Sequence, residues 1–241
     1  MDLKEEEILK DKIFTHWYYV SKWNALKNFV RISDYRETLD IGAGSGIFTK
    51  FLQESSSLKK SVCLDIGYST DFEETYKGRT IEFRRSIDKS DADLVLMMDV
   101  LEHIPDDAEF LKQYVSKIKP GTDILISVPA FQFLFSGHDY FLEHCRRYNS
   151  KTLINTVEKS GLTVIRYSYF FGLLFPLIAV IRLFGRLKLK ISGRKEEAKS
   201  DLKLVPPFLN TALIQIHRLE LPFFKWNRIA GLTLFCLARK K

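Results

Sequence analysis

Over ten residues the chain changes character in a way few folds accommodate. Glu37-Thr38-Leu39-Asp40-Ile41 reads as a short buried strand and runs directly into Gly42-Ala43-Gly44-Ser45-Gly46, after which a helical pattern opens at Ile47 and continues to Leu52. Strand, glycine-rich turn and helix in that order make a nucleotide-site arrangement. Glycine permits positive φ and lets backbone approach a ligand with no Cβ in the way. The first turn of the following helix offers N–H groups that lack an intrahelical partner.

The rest of the chain repeats the alternation. Further strands are expected at 61–66, 80–84, 93–98, 123–128, 162–167 and 232–238, and helical patterns at 3–30, 106–118 and 149–159. Asp93-Leu94-Val95-Leu96-Met97-Met98 is almost continuously apolar, as a strand covered on both faces must be. Strands alternating with helices predict an α/β fold: a doubly wound, seven-stranded, mostly parallel sheet with an N-terminal helix. The 241 residues suit one domain. It divides into a helical cap (1–36), a cofactor-binding core (37–169), an insertion between strands six and seven (170–228) and the last strand (229–241). The insertion opens with twelve apolar or small residues, Phe170 to Ile181, too few to span a bilayer. A basic, flexible-looking stretch from Arg182 to Lys203 follows, carrying Arg186, Lys188, Lys190, Arg194, Lys195 and Lys199. A second helical pattern begins after Pro206-Pro207.

Two details narrow the ligand. A dinucleotide fingerprint needs its third glycine at position 47, which here is Ile47, and a phosphate-binding P-loop needs Gly-Lys-Ser/Thr, which is missing. Closely spaced glycines preceded by Asp40 suit S-adenosylmethionine, which has no pyrophosphate to cradle. Asp65 closes the next strand about 20 residues past the glycines, the spacing at which a carboxylate reaches ribose hydroxyls.

At this point the chain resembles the class I S-adenosylmethionine-dependent methyltransferases. Leu39 to Gly46 resembles their first motif and Leu64-Asp65 their second. Asp93 to Ile104 (Asp99-Val100-Leu101-Glu102-His103-Ile104 at its end) is similar to their fourth-strand segment, and Leu111 through Lys119-Pro120-Gly121 to the run into strand five. His144-Cys145-Arg146-Arg147-Tyr148-Asn149 and the aromatic His16-Trp17-Tyr18-Tyr19 resemble further segments of a bacterial small-molecule and lipid-type subgroup. The matches span most of residues 12–170. The resemblance implies that Asp40, Gly42, Ala43, Gly44 and Gly46 hold the methionine portion of the cofactor and Asp65 with Ile66 the ribose. Ile87 and Asp88 would meet the adenine edge, Met98 and Asp99 would border the sulfonium, and Tyr18 would approach from the aromatic helix. Two positions that carry arginine in that helix of the subgroup are Val20 and Lys22 here.

For the chemistry, a base is needed only where the acceptor must lose a proton. His103 follows the fourth strand at the carboxyl edge where α/β sites lie. His138 and its neighbour Asp139 could form a base and its orienter, and His144 is a further candidate. Arg146 and Arg147 could bind a phosphate bidentately, and His16, Phe131 and Tyr148 complete the candidate acceptor wall. No H-x-x-x-H pair or acidic cluster gives the histidines a metal-ligand spacing, so no metal is expected.

The formal net charge of +7 favours acidic partners. An apolar run followed by basic residues fits a segment lying on an anionic bilayer surface, and equally a helical lid buried in the fold or in a dimer. The expected acceptor is therefore a small molecule, lipid or lipid-linked glycan, methylated on oxygen or nitrogen. Nucleic acid fits less well, because no Asn/Asp-Pro-Pro-aromatic cluster follows strand four and the cations do not lie among stacking aromatics. A binding protein without turnover is the other alternative. Three dispersed cysteines and a charged N-terminus without an apolar core point to a reducing, cytoplasmic setting, with peripheral contact at the inner membrane face.

Overall fold

The computed structural model describes residues 5, 8–56, 58–192 and 197–241. The expected helix start at Leu3 and the basic residues Arg194 and Lys195 lie outside them, as do the side chains of Lys188 and Lys190.

Eight strands form one sheet: β1 (Glu37–Ile41), β2 (Lys60–Leu64), β3 (Phe72–Tyr76), β4 (Arg79–Arg84), β5 (Leu94–Met98), β6 (Asp123–Pro129), β7 (Leu162–Phe170) and β8 (Thr233–Lys240). Their order is β3-β4-β2-β1-β5-β6-β8-β7. The central pairs β4–β2, β2–β1, β1–β5 and β5–β6 are parallel, while β8 runs antiparallel between β6 and β7.

The expected count of seven strands is one short. β3 is an edge strand paired antiparallel with β4, joined to it by Lys77-Gly78 with φ of 48° and 79°. Two consecutive left-handed residues make the two-residue turn that matches strand twist. Phe72-Glu73-Glu74-Thr75-Tyr76 buries little on either face, so it carries none of the apolar alternation by which strands are recognised.

The helices are α1 (Trp17–Phe29), α2 (Ile47–Ser55), α3 (Asp107–Lys117), α4 (Gly137–Phe141), α5 (Ser150–Lys159), α6 (Phe175–Ser192) and α7 (Pro207–Phe224). The helical pattern expected from 3 to 30 is broken before α1: a 3-10 turn covers Lys10–Thr15 and His16 is extended. The break is stabilised from afar. Asn210 of α7 accepts from the Trp17 N–H at 2.8 Å and donates to the Thr15 carbonyl at 2.9 Å, capping α1. The stretch expected to be flexible from Arg182 is helical as far as Ser192. Pro176 sits in the first turn of α6, where its missing N–H costs nothing, and Leu, Ile and the long basic residues after it are good helix formers.

Both faces of the sheet are covered. Leu94, Leu96 and Met98 pack with Leu26, Phe29, Phe51 and Phe224 of α1, α2 and α7. Val95 and Met97 pack with Leu111, Val115, Leu153 and Val157 of α3 and α5. Every residue of β5 is therefore buried, and its unbroken apolar run follows from that position.

α7 lies along α1 with a histidine in the seam. His217 is 1% exposed. Its Nδ1 lies 3.1 Å from Ser21 Oγ, its ring stacks on Trp17 and meets Phe171 edge-on, and its Nε2 has no hydrogen-bond partner among the described residues. Burial pushes this imidazole down to about 4 from 6.5. The unfolded chain therefore takes up a proton there before the folded one does. The seam contributes fully above about pH 6.5 and loses stability as pH falls toward 4. Replacing His217 by Phe should remove this part of the acid sensitivity, up to about 3 kcal/mol at the acid end. A melting series in which His217→Phe loses stability as steeply as wild type between these limits would show that the imidazole does not charge on unfolding.

Candidate active site

Strand order reverses at β1, whose neighbours are β2 on one side and β5 on the other. In doubly wound sheets ligands bind beyond the carboxyl ends of the strands at that switch point. A cavity of about 1220 Å³ opens there.

On its β1 side stands the glycine loop. Gly42, Gly44 and Gly46 all have positive φ, at 69°, 52° and 70°. At Gly42 a Cβ would lie 2.7 Å from a Val100 methyl, so glycine is required by space as well as by backbone. At Gly46 the constraint is inward, with a Cβ pressing on Phe83 and Cys63. The loop is hooked onto β2. Gly42 N and Ala43 N donate to the Leu64 carbonyl at 2.7 and 3.2 Å, the Asp65 carboxylate accepts from Gly44 N at 2.9 Å and Gly67 N at 2.8 Å, and Tyr68 OH donates to the Gly44 carbonyl at 2.7 Å. Asp40 is buried and accepts from Thr49 of α2 at 2.9 Å.

Of the residues expected at the cofactor, Tyr18, Asp40, Gly42, Ala43, Met98 and Asp99 border this cavity. Gly44, Gly46 and Asp65 stand behind or beside that wall, and Ile66 is 82% exposed. Ile87 and Asp88 border a separate cleft of about 390 Å³ over β1, β2 and β4.

Asp99 ends β5 with φ of 57°, an uncommon conformation for a residue with a side chain. Its N–H donates to the Ser127 carbonyl at 2.9 Å and its carboxylate accepts from Ser127 Oγ at 3.2 Å and Tyr18 OH at 3.1 Å. Lys22 completes the set by pairing with the same carboxylate while fully buried. The sequence marked Lys22 only as a departure from arginine. An amphipathic reading of α1 cannot reveal that this cation points inward to an acid on β5.

Another part of the cavity wall is built from the segments after β5 and β6. Asp139 is completely buried. It accepts from His144 Nδ1 at 2.8 Å, Arg147 Nε at 2.7 Å and Ser136 N at 2.7 Å, and Arg182 lies 3.8 Å away. Burial alone would raise its carboxyl, but the His144 bond and the Arg147 charge outweigh burial and hold it below the usual range. An ionised carboxylate only accepts, so His144 must carry its hydrogen on Nδ1, which leaves Nε2 as a lone pair.

The expected pairing of Asp139 with its neighbour His138 is therefore corrected: the oriented imidazole is His144. His138 turns the other way, its Nδ1 accepting from Asp201 N at 3.1 Å and its Nε2 lying 3.8 Å from Glu5.

His103 borders the cavity and meets His144 edge-on, ring centres 4.7 Å apart. Burial, followed by the neighbouring His144, pushes it down to about 4. Glu102 is entirely buried at the cavity wall, and neither carboxyl oxygen has a hydrogen-bond partner among the described residues. Burial, then Asp99, pushes its carboxyl well up, so it is held neutral. One ligand atom each of Glu102, His103 and His144 lies within 4.8 Å of the others, a donor set close enough to grip one polar group or a cation. Glu102 was legible only as part of a motif, because a buried acid without a partner leaves no mark in sequence.

The remaining candidates divide. Arg147 borders the cavity. Arg146 and Tyr148 do not: both are tied to Asp107 at the start of α3, at 3.3 and 2.6 Å. Phe131 stacks on Tyr169 outside the wall, and His16 is buried, with its Nε2 donating to the Lys203 carbonyl at 3.2 Å.

Comparison with known proteins agrees with this geometry. A family model described as a methyltransferase domain matches residues 16–167. A ubiquinone biosynthesis O-methyltransferase of Hahella chejuensis is 27% identical over 126 residues, 45% of this chain and 51% of that protein. One from Pseudoalteromonas translucida is 25% identical over 155 residues, 54% of this chain and 64% of that protein. The chain thus spans half to two thirds of the length of these relatives. Among solved structures, the N-methyltransferase 2 of Haemonchus contortus, in complex with phosphomonomethylethanolamine and S-adenosylhomocysteine, superposes with a TM-score of 0.54 at 16% identity. That match covers 98% of this chain and 56% of that one. The chain belongs to the methyltransferase-domain family, the class I fold whose cofactor is S-adenosylmethionine.

Proposed function

We propose that the protein transfers a methyl group from S-adenosylmethionine to a hydroxyl oxygen of a small acceptor with an apolar portion, working at a membrane surface. The observation that carries this reading is the Asp139–His144 pair on the wall of the cavity that the glycine loop also borders. The relatives named as O-methyltransferases support oxygen as the accepting atom.

When bound, the cofactor supplies an electrophilic methyl on a sulfonium, already a good leaving group. The residues present fit it: Gly42 and Ala43 bring backbone to the cavity wall with no side chain larger than a methyl in the way, we read Asp40 and Ala43 as facing the methionine end, and Asp65, which accepts from Gly44 N, as the carboxylate for the ribose diol. The protein's task is then alignment, exclusion of water and removal of one proton. A hydroxyl is a poor nucleophile until it sheds that proton. His144 Nε2 is the base, held in register by Asp139. His103 and the neutral Glu102 bond the acceptor from the same side, Glu102 being able both to donate and to accept.

The membrane reading rests on the insertion. α6 exposes Leu173 just before it and then Leu177, Val180, Phe184 and Leu187. α7 exposes Phe208, Leu219 and Phe223, followed by Trp226. Between residues 170 and 228 there are eleven lysines and arginines against four acidic residues, an excess equal to the +7 of the whole chain. Among the described residues no helix is long and apolar enough to cross a membrane. Exposed apolar stripes beside cations suit helices lying in the plane of an anionic surface.

Three outcomes follow. Calorimetry should record S-adenosylhomocysteine binding to wild type and at least about tenfold weaker binding to Gly42→Ala, where both φ and Val100 oppose a Cβ; unchanged affinity would remove the loop from the cofactor site. With a phenolic acceptor, His144→Gln should lower kcat by about 10²- to 10⁴-fold and Asp139→Asn also, with little change in cofactor affinity. A His144 variant of full activity would leave the reaction without its base. In flotation, the protein should rise with phosphatidylglycerol vesicles, and Phe184→Glu combined with Leu187→Glu should abolish this. No binding to any anionic vesicle would end the membrane reading.

A further inference from the structure

The side of α6 that borders the cavity is not uniformly apolar. Ile178, Arg182, Gly185 and Arg186 share it at helical spacing. A Cβ on Gly185 would touch nothing, so the helix leaves open space beside the two guanidinium groups. Each arginine is anchored at one point to the segment after β6, Arg182 donating to the Leu134 carbonyl and Arg186 to the Phe135 carbonyl. A guanidinium carries five N–H donors in a planar fork, so most of their donor capacity is left over.

Their charges are unequally matched. Arg147, the third arginine of the cavity, is committed to Asp139 at 2.7 Å and to the Ala130 carbonyl. Arg182 has Asp139 only at 3.8 Å, and its close partner is Asp201 at 2.7 Å. Arg186 has no carboxylate within ion-pair distance among the described residues. Among the described residues three guanidinium groups here share two close carboxylates, Asp139 and Asp201; burial and then the charge of Arg147 lower the Arg182 guanidinium's affinity for its own proton.

Asp201 is not a fixed acid. It belongs to a strap, residues 197–206 ahead of α7, from which Glu197, Lys199, Asp201 and Leu202 border the cavity, and its side chain is 55% exposed. Backbone bonds tie the strap down: Lys199 N to the Gly137 carbonyl at 3.1 Å, Asp201 N to His138 Nδ1 at 3.1 Å, and the Lys203 carbonyl to His16 Nε2 at 3.2 Å. A half-exposed carboxylate on such a strap is a replaceable partner for a half-buried guanidinium.

We propose that Arg182 and Arg186 form an oxyanion subsite for a carboxylate or phosphate carried by the acceptor, and that Asp201 occupies it when no acceptor is bound. The reading rests on the cavity being the acceptor pocket. It makes the acceptor a bifunctional molecule, with a hydroxyl directed to His144 and an anionic group directed to α6. It also gives the strap a role: the incoming anion displaces Asp201 from Arg182, exchanging an intramolecular pair for one with the ligand. A tethered acid competes through its effective concentration, so removing its charge must strengthen ligand binding. A purely structural ion pair predicts the opposite or no effect.

The test is ligand-detected NMR titration of the protein saturated with S-adenosylhomocysteine, whose own binding is followed separately by calorimetry. The probes are 3-hydroxybenzoate and its uncharged counterpart 3-methylphenol. Wild type should prefer the benzoate. Arg186→Met should lose about tenfold or more of that preference, as removal of a charge-assisted bond does, while Asp201→Asn should bind the benzoate about threefold more tightly. Equal binding of the two probes, or an Asp201→Asn variant that binds the benzoate no better, overturns the subsite while leaving the cofactor site and the methyl-transfer reading intact. A vesicle arm separates the sources of the anion. If Arg186→Met weakens flotation with phosphatidylglycerol vesicles but leaves the benzoate preference unchanged, the arginines read lipid headgroups and the acceptor subsite is overturned.

Discussion

The cavity wall built from the segments after β5 and β6 depends on one buried carboxylate. Asp139 sits at the third position of a five-residue helix that could not stand alone, and it receives hydrogen bonds from Ser136, His144 and Arg147. Removing a charge from water costs several kcal/mol even after relaxation, and here that cost is offset by donors from both the backbone and two side chains. The arrangement works in both directions. Without Asp139, Arg147 would be a buried cation without a counter-charge and His144 would lose the bond that fixes its tautomer. Stability and chemistry of this wall are therefore the same set of bonds, and a change that loosens one loosens the other.

Backbone conformation shapes the rest of the cavity rim. Three strands that end at the cavity rim are followed by residues with positive φ although none is glycine: Asp99 after β5, Phe131 after β6 and Phe171 after β7, at 57°, 62° and 59°. Each such conformation costs about 1–2 kcal/mol in an L-residue and persists only where the surroundings over-determine it. The surroundings here are specific. Asp99 is held by Ser127, Tyr18 and Lys22, Phe131 by its N–H to the Tyr148 carbonyl at 2.7 Å, and Phe171 by stacking on Tyr18 at 5.7 Å. A left-handed residue thus follows each of β5, β6 and β7, whose carboxyl ends lie at the same edge of the sheet. Tyr18 takes part in two of these anchors, which is why α1 belongs to the site even though it lies outside the glycine loop.

What could be read in the sequence was whatever is encoded locally. The β1–glycine–α2 unit is specified by residues within a dozen positions of one another, and β5 by an apolar run that only a doubly covered strand tolerates. β3 escaped because an edge strand has no buried face to write into its pattern; its one sign was the Lys77-Gly78 turn. The His138–Asp139 pairing failed for a geometric reason. Adjacent residues on a helical turn point about 100° apart, whereas Glu143, with φ of 61°, folds the chain back so that a residue five positions on meets the carboxylate. Lys22 and Glu102 were hidden for the same kind of reason: their partners, or lack of them, are decided by packing across 77 positions of sequence in one case and by complete burial in the other.

The insertion is where the periodicity of a helix carries the most meaning. α6 presents Leu177, Val180, Phe184 and Leu187 outward and Ile178, Arg182 and Arg186 to the cavity, two stripes that 3.6 residues per turn keep separate along its length. A helix packed only to close a core needs one apolar stripe and a polar back. This one is apolar where it meets solvent and sets two cations among Ile178, Ile181 and Gly185 where it meets the cavity, an inversion that burial alone does not favour. The inversion is consistent if the outer stripe is covered by an apolar surface and the inner cations face an anion, because each group is then matched to its surroundings. The two proposals are thus linked through one element: a helix lying on a membrane would set the acceptor's apolar portion and its charged portion on opposite sides of the same turn, with the strap and Asp201 between the empty and the occupied site.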